Sequence, residues 1–474
     1  MVSSICGLET EYGLSCGGLT EISQLEAALD FFASCKLPGA VPWDLSRESP
    51  GMDARDNRAE ASVAPSPSSL ADGFMLPNGA RFYVDHGHPE YCTPECRTPA
   101  DLVASDVSGE LLLDRCRAEY SQGRDAGRPD QLGALSLFKN NSDHKGNAYG
   151  CHENYLLTGG LYEELFRHGS KLLPSCLVPF LVSRIVICGS GKVGTECGLP
   201  AVDYQISQRA DFIETLIGLQ TTWRRPLINT RDEPHADRSK HRRLHVIPGD
   251  SNMAEWSTYL KAGCTLALLA MLEDGVALPD QTLFDPITAL RTFSRDPACR
   301  AEAELQTGIR RRAIDIQSEI ADCAESWAGR PGIPEWMREV VRNWSAVLDA
   351  LRRDPMELRD RLDWVIKLHF LQEWRRKRGV GWDDPRLTEL EIRYHDISPQ
   401  SSVYHLLRRT GRVRRIVADE TVVQAAITAL PGTRARLRSD TMRDQKAISA
   451  TWSCITTAEG KTLSFPEEYG LCDG

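Results

Sequence analysis

Carboxylates, histidines and arginines are gathered in four short stretches of the 474-residue chain. They read Gly7-Leu-Glu9-Thr-Glu11-Tyr12, Arg81-Phe-Tyr83-Val-Asp85-His-Gly-His88-Pro-Glu90-Tyr91, Gly150-Cys-His152-Glu153-Asn154-Tyr155 and Arg242-Arg243-Leu-His245. Eight of the 11 histidines fall between His86 and His245. Side chains alternate along an extended strand, so Glu9 shares a face with Glu11, His152 with Asn154, and Arg81 with Tyr83 and Asp85. Carboxylates and imidazoles on one face of a sheet offer donors to a hard divalent cation. Arginines beside them take phosphate oxygens in bidentate fashion. Without a P-loop, this combination suggests a Mg-nucleotide site built on a sheet.

The elements that must position these groups can be read from periodicity. Strands are expected at 4–12, 134–139, 152–157, 181–188 and 244–247, and helices at 22–34, 102–120 and 255–272. Asn78-Gly79 between strand-like runs predicts a hairpin over 74–85. Asn252 with Glu255 three residues on predicts a capping box for the third helix. Beyond residue 300 the pattern is mostly helical. Asp354-Pro-Met-Glu357 starts a helix that runs through Leu358, Leu362, Val365, Ile366, His369 and Phe370 to Gly379. The stretch 451–465 reads as a hairpin around Glu459-Gly460. Residues 38–72, rich in Pro, Ser, Ala, Asp and Arg, predict a mobile surface loop. A break at Ser398-Pro-Gln-Ser-Ser402 divides a catalytic domain, 1–400, from a small C-terminal domain, 401–474.

Several motifs fail for want of context. Gly13-Leu-Ser15-Cys-Gly17 matches G-x-S-x-G but lacks a strand–Ser–helix turn. Gly189-Ser-Gly191-Lys-Val-Gly194 matches G-x-G-x-x-G, yet Thr195 to Pro200 cannot open a helix to receive a dinucleotide. Cys92 and Cys96 find no second pair to complete a zinc site. Arg408, Arg409, Arg412, Arg414 and Arg415, with Arg434, Arg436 and Arg438, form a basic stretch with little aromatic interleaving. That pattern excludes single-strand nucleic-acid binding and leaves a solvated face or a dock for an acidic partner.

Composition sets the outer bounds. The chain is 41% hydrophobic with a formal charge of −10, which argues for a large core and against a nucleic acid or anionic membrane as main partner. Its most apolar helical stretch, 262–272, is well short of the roughly 20 residues that span a bilayer. Fifteen scattered cysteines and a start without a basic, apolar leader predict reduced thiols in the cytoplasm.

Longer stretches resemble the Pup ligase/depupylase family. They are Gly7-Leu-Glu-Thr-Glu-Tyr-Gly13, Asn78-Gly-Ala-Arg-Phe-Tyr-Val-Asp85, His88-Pro-Glu-Tyr91, Phe138-Lys-Asn-Asn-Ser-Asp143, Tyr149-Gly-Cys-His-Glu-Asn-Tyr155, Asn229-Thr-Arg-Asp-Glu-Pro-His-Ala-Asp237 and Arg242-Arg-Leu-His-Val246 with Gly249-Asp250. The resemblance spans nearly the whole chain. It implies an α+β, glutamine synthetase-like domain with a curved, mainly antiparallel sheet backed by helices. Three features are similar to the depupylase branch. They are the 38–72 insertion with Trp43-Asp-Leu-Ser-Arg-Glu-Ser-Pro50 and Asp53-Ala-Arg55, the short Asp85-His-Gly-His88 spacing, and the pair Gln205-Ile-Ser-Gln-Arg-Ala-Asp-Phe212 and Gly379-Val-Gly-Trp382-Asp383. The chain stops soon after the last hairpin, where depupylases usually continue, which bears on C-terminal contacts rather than chemistry.

The implied activity is hydrolysis of the isopeptide bond between the C-terminal residue of Pup and a substrate lysine, with deamidation of a C-terminal glutamine of Pup as a second reaction. Mg²⁺ and ATP, or ADP with phosphate, are the implied cofactors, the nucleotide held but not spent at each turnover. The implied partners are Pup and pupylated proteins of the bacterial proteasome system, with no nucleic acid and no membrane. Residue by residue, the resemblance implies Mg²⁺ ligands at Glu9, Tyr83, Glu90, His152 and His245. It implies nucleotide contacts at Glu11, Arg81, Thr93, Asn154, Arg243 and Trp452, and the essential aspartate at Asp85 as nucleophile or general base. Arg408, Arg412 and Arg415 are candidates to dock acidic Pup. An ATP-consuming Pup–protein ligase and a non-catalytic Pup-binding relative remain the alternatives.

Overall fold

The strands obey the period-two alternation of the sequence. The computed structural model describes residues 4–16, 23–48, 53, 73–125, 135–231 and 236–466. In chain order its strands are β1 (Cys6–Glu11), β2 (Gly13–Cys16), β3 (Val41–Pro42), β4 (Phe74–Met75), β5 (Arg81–Asp85), β6 (His88–Cys92), β7 (Leu135–Phe138), β8 (Cys151–Thr158), β9 (Lys192–Val193) and β10 (Tyr204–Gln205). There follow β11 (Thr215–Gly218), β12 (Pro226–Asn229), β13 (His241–Val246), β14 (Glu302–Glu304), β15 (Arg310–Arg312), β16 (Ala447–Ala450), β17 (Cys454–Thr457) and β18 (Thr462–Ser464). Nine of them form one sheet in the order β11-β12-β13-β8-β1-β6-β5-β4-β3. Every pairing in it is antiparallel except β11 with β12.

The helices are α1 (Gln24–Ser34), α2 (Pro99–Asp125), α3 (Gly159–Phe166), α4 (Val178–Ser183), α5 (Ile185–Cys188), α6 (Glu255–Glu273), α7 (Pro286–Ser294), α8 (Ala313–Ala328) and α9 (Glu335–Arg353). Then come α10 (Asp363–Arg378), α11 (Pro385–Tyr394), α12 (Val403–Arg409), α13 (Asp419–Ile427) and α14 (Arg434–Asp444). Leu8, Cys151, Tyr155, Leu244 and Val246 turn to the back of the sheet, where α2 and α6 cover them in the main core. Helix α6 is buried on all sides from Ser257 to Leu272 because α8 and α9, with Trp327 and Trp344, close over it. Glu153 also points backward, and Arg184 neutralises it through two bonds of 2.8 and 2.6 Å. The front face is left to the polar residues. None of the described helices is long and apolar enough to cross a membrane.

Several expected elements differ. Residues 181–188 are helical, in α4 and α5, not a strand. This apolar run is buried on every side and carries no period that could separate the two forms. The expected capping box of α6 does not form. Ala254 is the N-cap, its N–H donates to Asp363, Asn252 donates to the Cys188 carbonyl, and Glu255 accepts from Ile416 and Val417. Asp354 does cap a helix, but a 3₁₀ turn (Pro355–Leu358) that ends before α10 begins at Asp363. Gly379 stops α10 in the left-handed conformation, φ 65°, as a C-terminal glycine should. Ser15 lies in β2, paired with β7, and no helix follows Gly189–Gly194, so neither glycine motif acquires its context.

The end of the chain packs back onto its beginning. Trp43 bridges Ala450, and Val41, Trp43, Met75, Met442, Ala450, Ile455 and Phe465 share one small core. The hairpin expected over 451–465 is β17–β18, with β16 alongside. Most of the expected 38–72 loop, residues 49–52 and 54–72, lies outside the described residues. Its entry forms β3 and a 3₁₀ turn (Leu45–Arg47).

Candidate active site

Register brings the four polar stretches together. Glu9 stands opposite His152 on one side and Cys92 on the other, Glu11 opposite Glu90, Tyr83 opposite Glu90, and His245 opposite Asn154. Residues directly opposite in an antiparallel pair share a face. Asp85 is placed by the turn that ends β5. His86 (φ 46°) and Gly87 (φ 83°) both take the left-handed conformation that a two-residue hairpin turn with the twist of its strands requires. A longer turn would carry Asp85 away from the sheet.

Two clusters of donors result. In the first, Glu9, His152 and His245 bring one ligand atom each within 4.8 Å of one another. His152 Nδ1 and His245 Nε2 each lie 3.4 Å from Glu9 Oε2. Burial, reinforced by the Arg243 charge, pushes His245 down to about 3, so its imidazole is neutral. Both ring nitrogens are buried without a hydrogen-bond partner. A neutral, buried imidazole facing a carboxylate has the form of a metal ligand.

The second cluster is Glu11, Asp85 and Glu90, again within 4.8 Å. Burial, then the charges of Asp85, Glu11 and Glu9, push Glu90 well above the usual carboxylate range. Burial pushes Asp85 upward too, but His86 Nδ1, donating at 2.8 Å, holds it below that range. Three crowded carboxylates are the arrangement that a divalent cation relieves. Glu11, expected among the nucleotide contacts, thus stands with Glu90. Tyr83 lies opposite Glu90, its phenol kept neutral by burial and by the Glu90 charge.

Beside the first cluster opens a cavity of about 800 Å³, mouth included, within the range of small-molecule sites. Glu9, Thr93, Asn154, Arg243 and Trp452 line it, with Glu95 and Arg434. Asn154 Nδ2 donates to Glu9 Oε1 at 3.0 Å, and Arg243 reaches Asn154 Oδ1 at 3.2 Å. Arg81 is not in its lining. Its guanidinium lies 4.2 Å from the ring centres of both Trp43 and Tyr83 and donates to Glu48 Oε1 at 2.8 Å. Trp452 meets Trp43 edge-on at 5.3 Å.

The three arginines assigned to docking are far apart in character. Arg415 is held by Glu255 at 2.8 Å and Asp419 at 2.6 Å, and Arg408 by Asp419 at 2.5 Å. Arg412 is 60% exposed, with Glu373 at 3.7 Å. Cys92 and Cys96 join neither donor cluster, and burial raises both thiols. The fourteen described cysteines are free thiols.

Sequence reasoning missed four groups here. Glu95 binds Arg434 at 2.7 Å and Arg438 at 2.5 Å, closing the cavity wall. Glu48 stacks no signal above its neighbours in a polar loop. Arg209 and Arg225 approach the second cluster from loops whose only sequence mark is a basic residue.

An α+β chain with a nine-stranded, mainly antiparallel sheet, two carboxylate-rich clusters on one face and a cavity beside them has the build of the glutamine synthetase-like enzymes. Within that class the chain belongs to the Pup-ligase family, whose model, described as Pup-ligase protein, matches residues 4–456. It is 40% identical to the depupylase of Acidothermus cellulolyticus over 95% of this chain and 90% of that protein. It is 38% identical to the Pup deamidase/depupylase of Mycolicibacterium smegmatis (95% and 91%) and 38% identical to the Pup–protein ligase of Geodermatophilus obscurus (94% and 90%). Among solved structures it is similar to the Pup ligase PafA in complex with Pup, with a TM-score of 0.81 and 31% identity over 99% of this chain and 89% of that one. PafA in complex with ADP gives a TM-score of 0.75 and 33% identity over 86% and 88%.

Proposed function

We propose that this chain is a depupylase that hydrolyses the isopeptide bond between the C-terminal residue of Pup and a substrate lysine, and that deamidates Pup where it ends in glutamine. The observation that carries the reading is Asp85, ionised and fixed by His86 at the tip of a two-residue turn, beside Glu11 and Glu90. The relatives named depupylase support the direction of the reaction.

An amide carbon resists attack and needs a strong nucleophile and a stabilised oxyanion. Asp85 either attacks the side-chain carbonyl of Pup's last residue, giving an anhydride that water opens, or takes a proton from the attacking water. His86 keeps the carboxylate oriented in both cases. Glu9, His152 and His245 would hold one Mg²⁺, and Glu11 and Glu90, with Tyr83 beside them, a second. Such ions, when bound, supply Lewis-acid stabilisation of the developing oxyanion. Thr93, Asn154, Arg243 and Trp452 would hold ATP, or ADP with phosphate, and Arg81 would face its phosphates once released from Glu48. Arg412 is the candidate for docking acidic Pup, since Arg408 and Arg415 already serve Asp419 and Glu255. Action in the cytoplasm, on proteins marked for the proteasome, completes the reading.

The ligase relatives and the two PafA structures favour one second reading, ATP-dependent conjugation. The two are separated by incubating the protein with a purified pupylated substrate, Mg²⁺ and either ATP or a slowly hydrolysed analogue. Release of free substrate with both nucleotides is expected. Conjugate formation from glutamate-ended Pup, only with hydrolysable ATP, would replace this reading by the ligase one.

A further inference from the structure

Arg209 is 1% exposed, yet no described carboxylate pairs with its guanidinium. Its Nη1 donates to the Tyr149 carbonyl at 2.5 Å, and its Nε has no partner. The nearest buried acid, Asp250, is spent on backbone. Its oxygens accept from the N–H groups of Ser190, Gln208 and Arg209 and from Ser207 Oγ. Arg225, half-buried, comes to the same strand entry, where its Nη2 donates to the Ala148 carbonyl at 3.1 Å. It too has no described ion-pair partner. Two guanidiniums are thus brought close enough to repel, and Glu11 is the acid that both feel. A buried cation without a counter-charge is unfavourable unless an anion joins it.

Their position says which anion. Glu11 N–H donates to the Gly150 carbonyl, and His88 stacks on Tyr149 at 4.6 Å while approaching Glu11 at 3.7 Å, so the pair adjoins the Glu11–Asp85–Glu90 cluster. The cavity lies at the other end, at Asn154 and Arg243. From Tyr149 to Asn154 is five residues of extended chain, roughly 16 Å. Along the sheet the order is therefore cavity, histidine cluster, carboxylate cluster, arginine pair. The arginines stand across the reacting centre from the nucleotide, on the side left for the substrate.

We propose that Arg209 and Arg225 grip the free α-carboxylate of the chain-terminal residue whose side-chain amide is cleaved. The proposal rests on the depupylase reading, and it makes the enzyme selective for a residue at a chain end: an isopeptide on an internal residue has no such carboxylate. Forked guanidinium–carboxylate bonds supply both the affinity and the orientation.

The test uses the full-length protein and a Pup C-terminal peptide whose last side chain is amide-linked to a fluorophore, made with an α-carboxylate and with an α-carboxamide. Anisotropy should show the carboxylate form binding wild type roughly 10- to 100-fold more tightly, the worth of a charge-assisted pair. In Arg225→Gln the two forms should bind within about threefold of each other, while Arg225→Lys, keeping charge without the fork, falls between. ATP affinity, measured on the same variants, should stay within about twofold and also certifies that they are folded. Equal binding of both peptides by wild type would overturn the proposal. So would preserved discrimination in Arg225→Gln, or a loss of ATP affinity that leaves discrimination intact, which would give the anion site to a nucleotide phosphate. Because binding is read apart from cleavage, a tight, carboxylate-dependent complex that is never hydrolysed would refute the depupylase reading and leave the subsite standing.

Discussion

Glu90 faces Glu11 and Asp85 across the strand pair, and burial with those like charges pushes its carboxyl well above the usual range. Removing that charge should therefore help the fold and harm the site. Glu90→Gln is expected to raise the melting temperature in EDTA by a few degrees and to weaken Mg²⁺ binding at least tenfold. Thermal melts across a Mg²⁺ titration check both, and an unchanged Mg²⁺ dependence would remove Glu90 from the ligands. Asp85 behaves differently because His86 already stabilises its charge. Asp85→Asn should leave nucleotide affinity within about twofold and lower hydrolysis by about a thousandfold or more, the scale seen when a reacting group is lost. Near-normal cleavage would sink its assignment. Much at this scale was legible, because period-two alternation alone put Glu9, Glu11, His152 and Asn154 on one face. It could not reveal that Glu11 joins Glu90, since register between distant strands is set by the hairpin turn and the core, not by either strand. Arg209 and Arg225 were hidden for a related reason: their meaning is the absence of a described counter-charge, which only packing exposes.

Between elements, the join of β6 to α14 carries most weight. Glu95, just beyond β6, sits between Arg434 and Arg438, and although burial opposes ionisation the two guanidiniums hold its carboxyl down at about 2. Arg438 is fully buried, and its Nη1 also donates to the Trp452 carbonyl. A carboxylate depressed from 4.5 to about 2 contributes about 3 kcal/mol of stability, all of it present well above pH 4.5. The contribution fades as pH falls from about 4.5 toward 2, since the unfolded chain then binds the proton first. Glu95→Gln should cost about 3–5 kcal/mol at pH 7, because two buried cations lose their partner. The difference between mutant and wild type should shrink in melts taken at successively lower pH, and a pH-independent difference would mean that packing rather than charge holds this join. Such joins were illegible in the sequence, as were α4 and α5. A continuous apolar run reads the same as a buried strand or a buried helix, and the choice falls to neighbours far away in the chain. The hairpin at Asn78-Gly79 was legible because a turn is dictated by its own residues.

For the molecule as a whole, the first and last parts of the chain build one cavity. Cys6, Glu9, Thr93 and Asn154 come from the sheet, and Thr433, Arg434 and Trp452 from the end of the chain. A ligand that fills it must couple their stabilities, since it binds only when both are in place. Mg-ATP at about a hundred times its dissociation constant should therefore stabilise the fold by about 2.7 kcal/mol. Hydrogen exchange should slow in α14 and β16–β18 as well as in β1 and β8, and EDTA should reverse the change. Protection confined to the sheet strands would show that the C-terminal elements do not close on the nucleotide. Docking of Pup belongs to a separate surface in this scheme. Arg412→Glu changes an exposed charge without touching Glu255 or Asp419, so it should weaken Pup binding severalfold while leaving the nucleotide-linked stabilisation intact. The basic stretch looked uniform in the sequence, but two of its candidates are committed to internal acids. A charge reversal at Arg415 would therefore report on the fold, and only Arg412 reports on the partner.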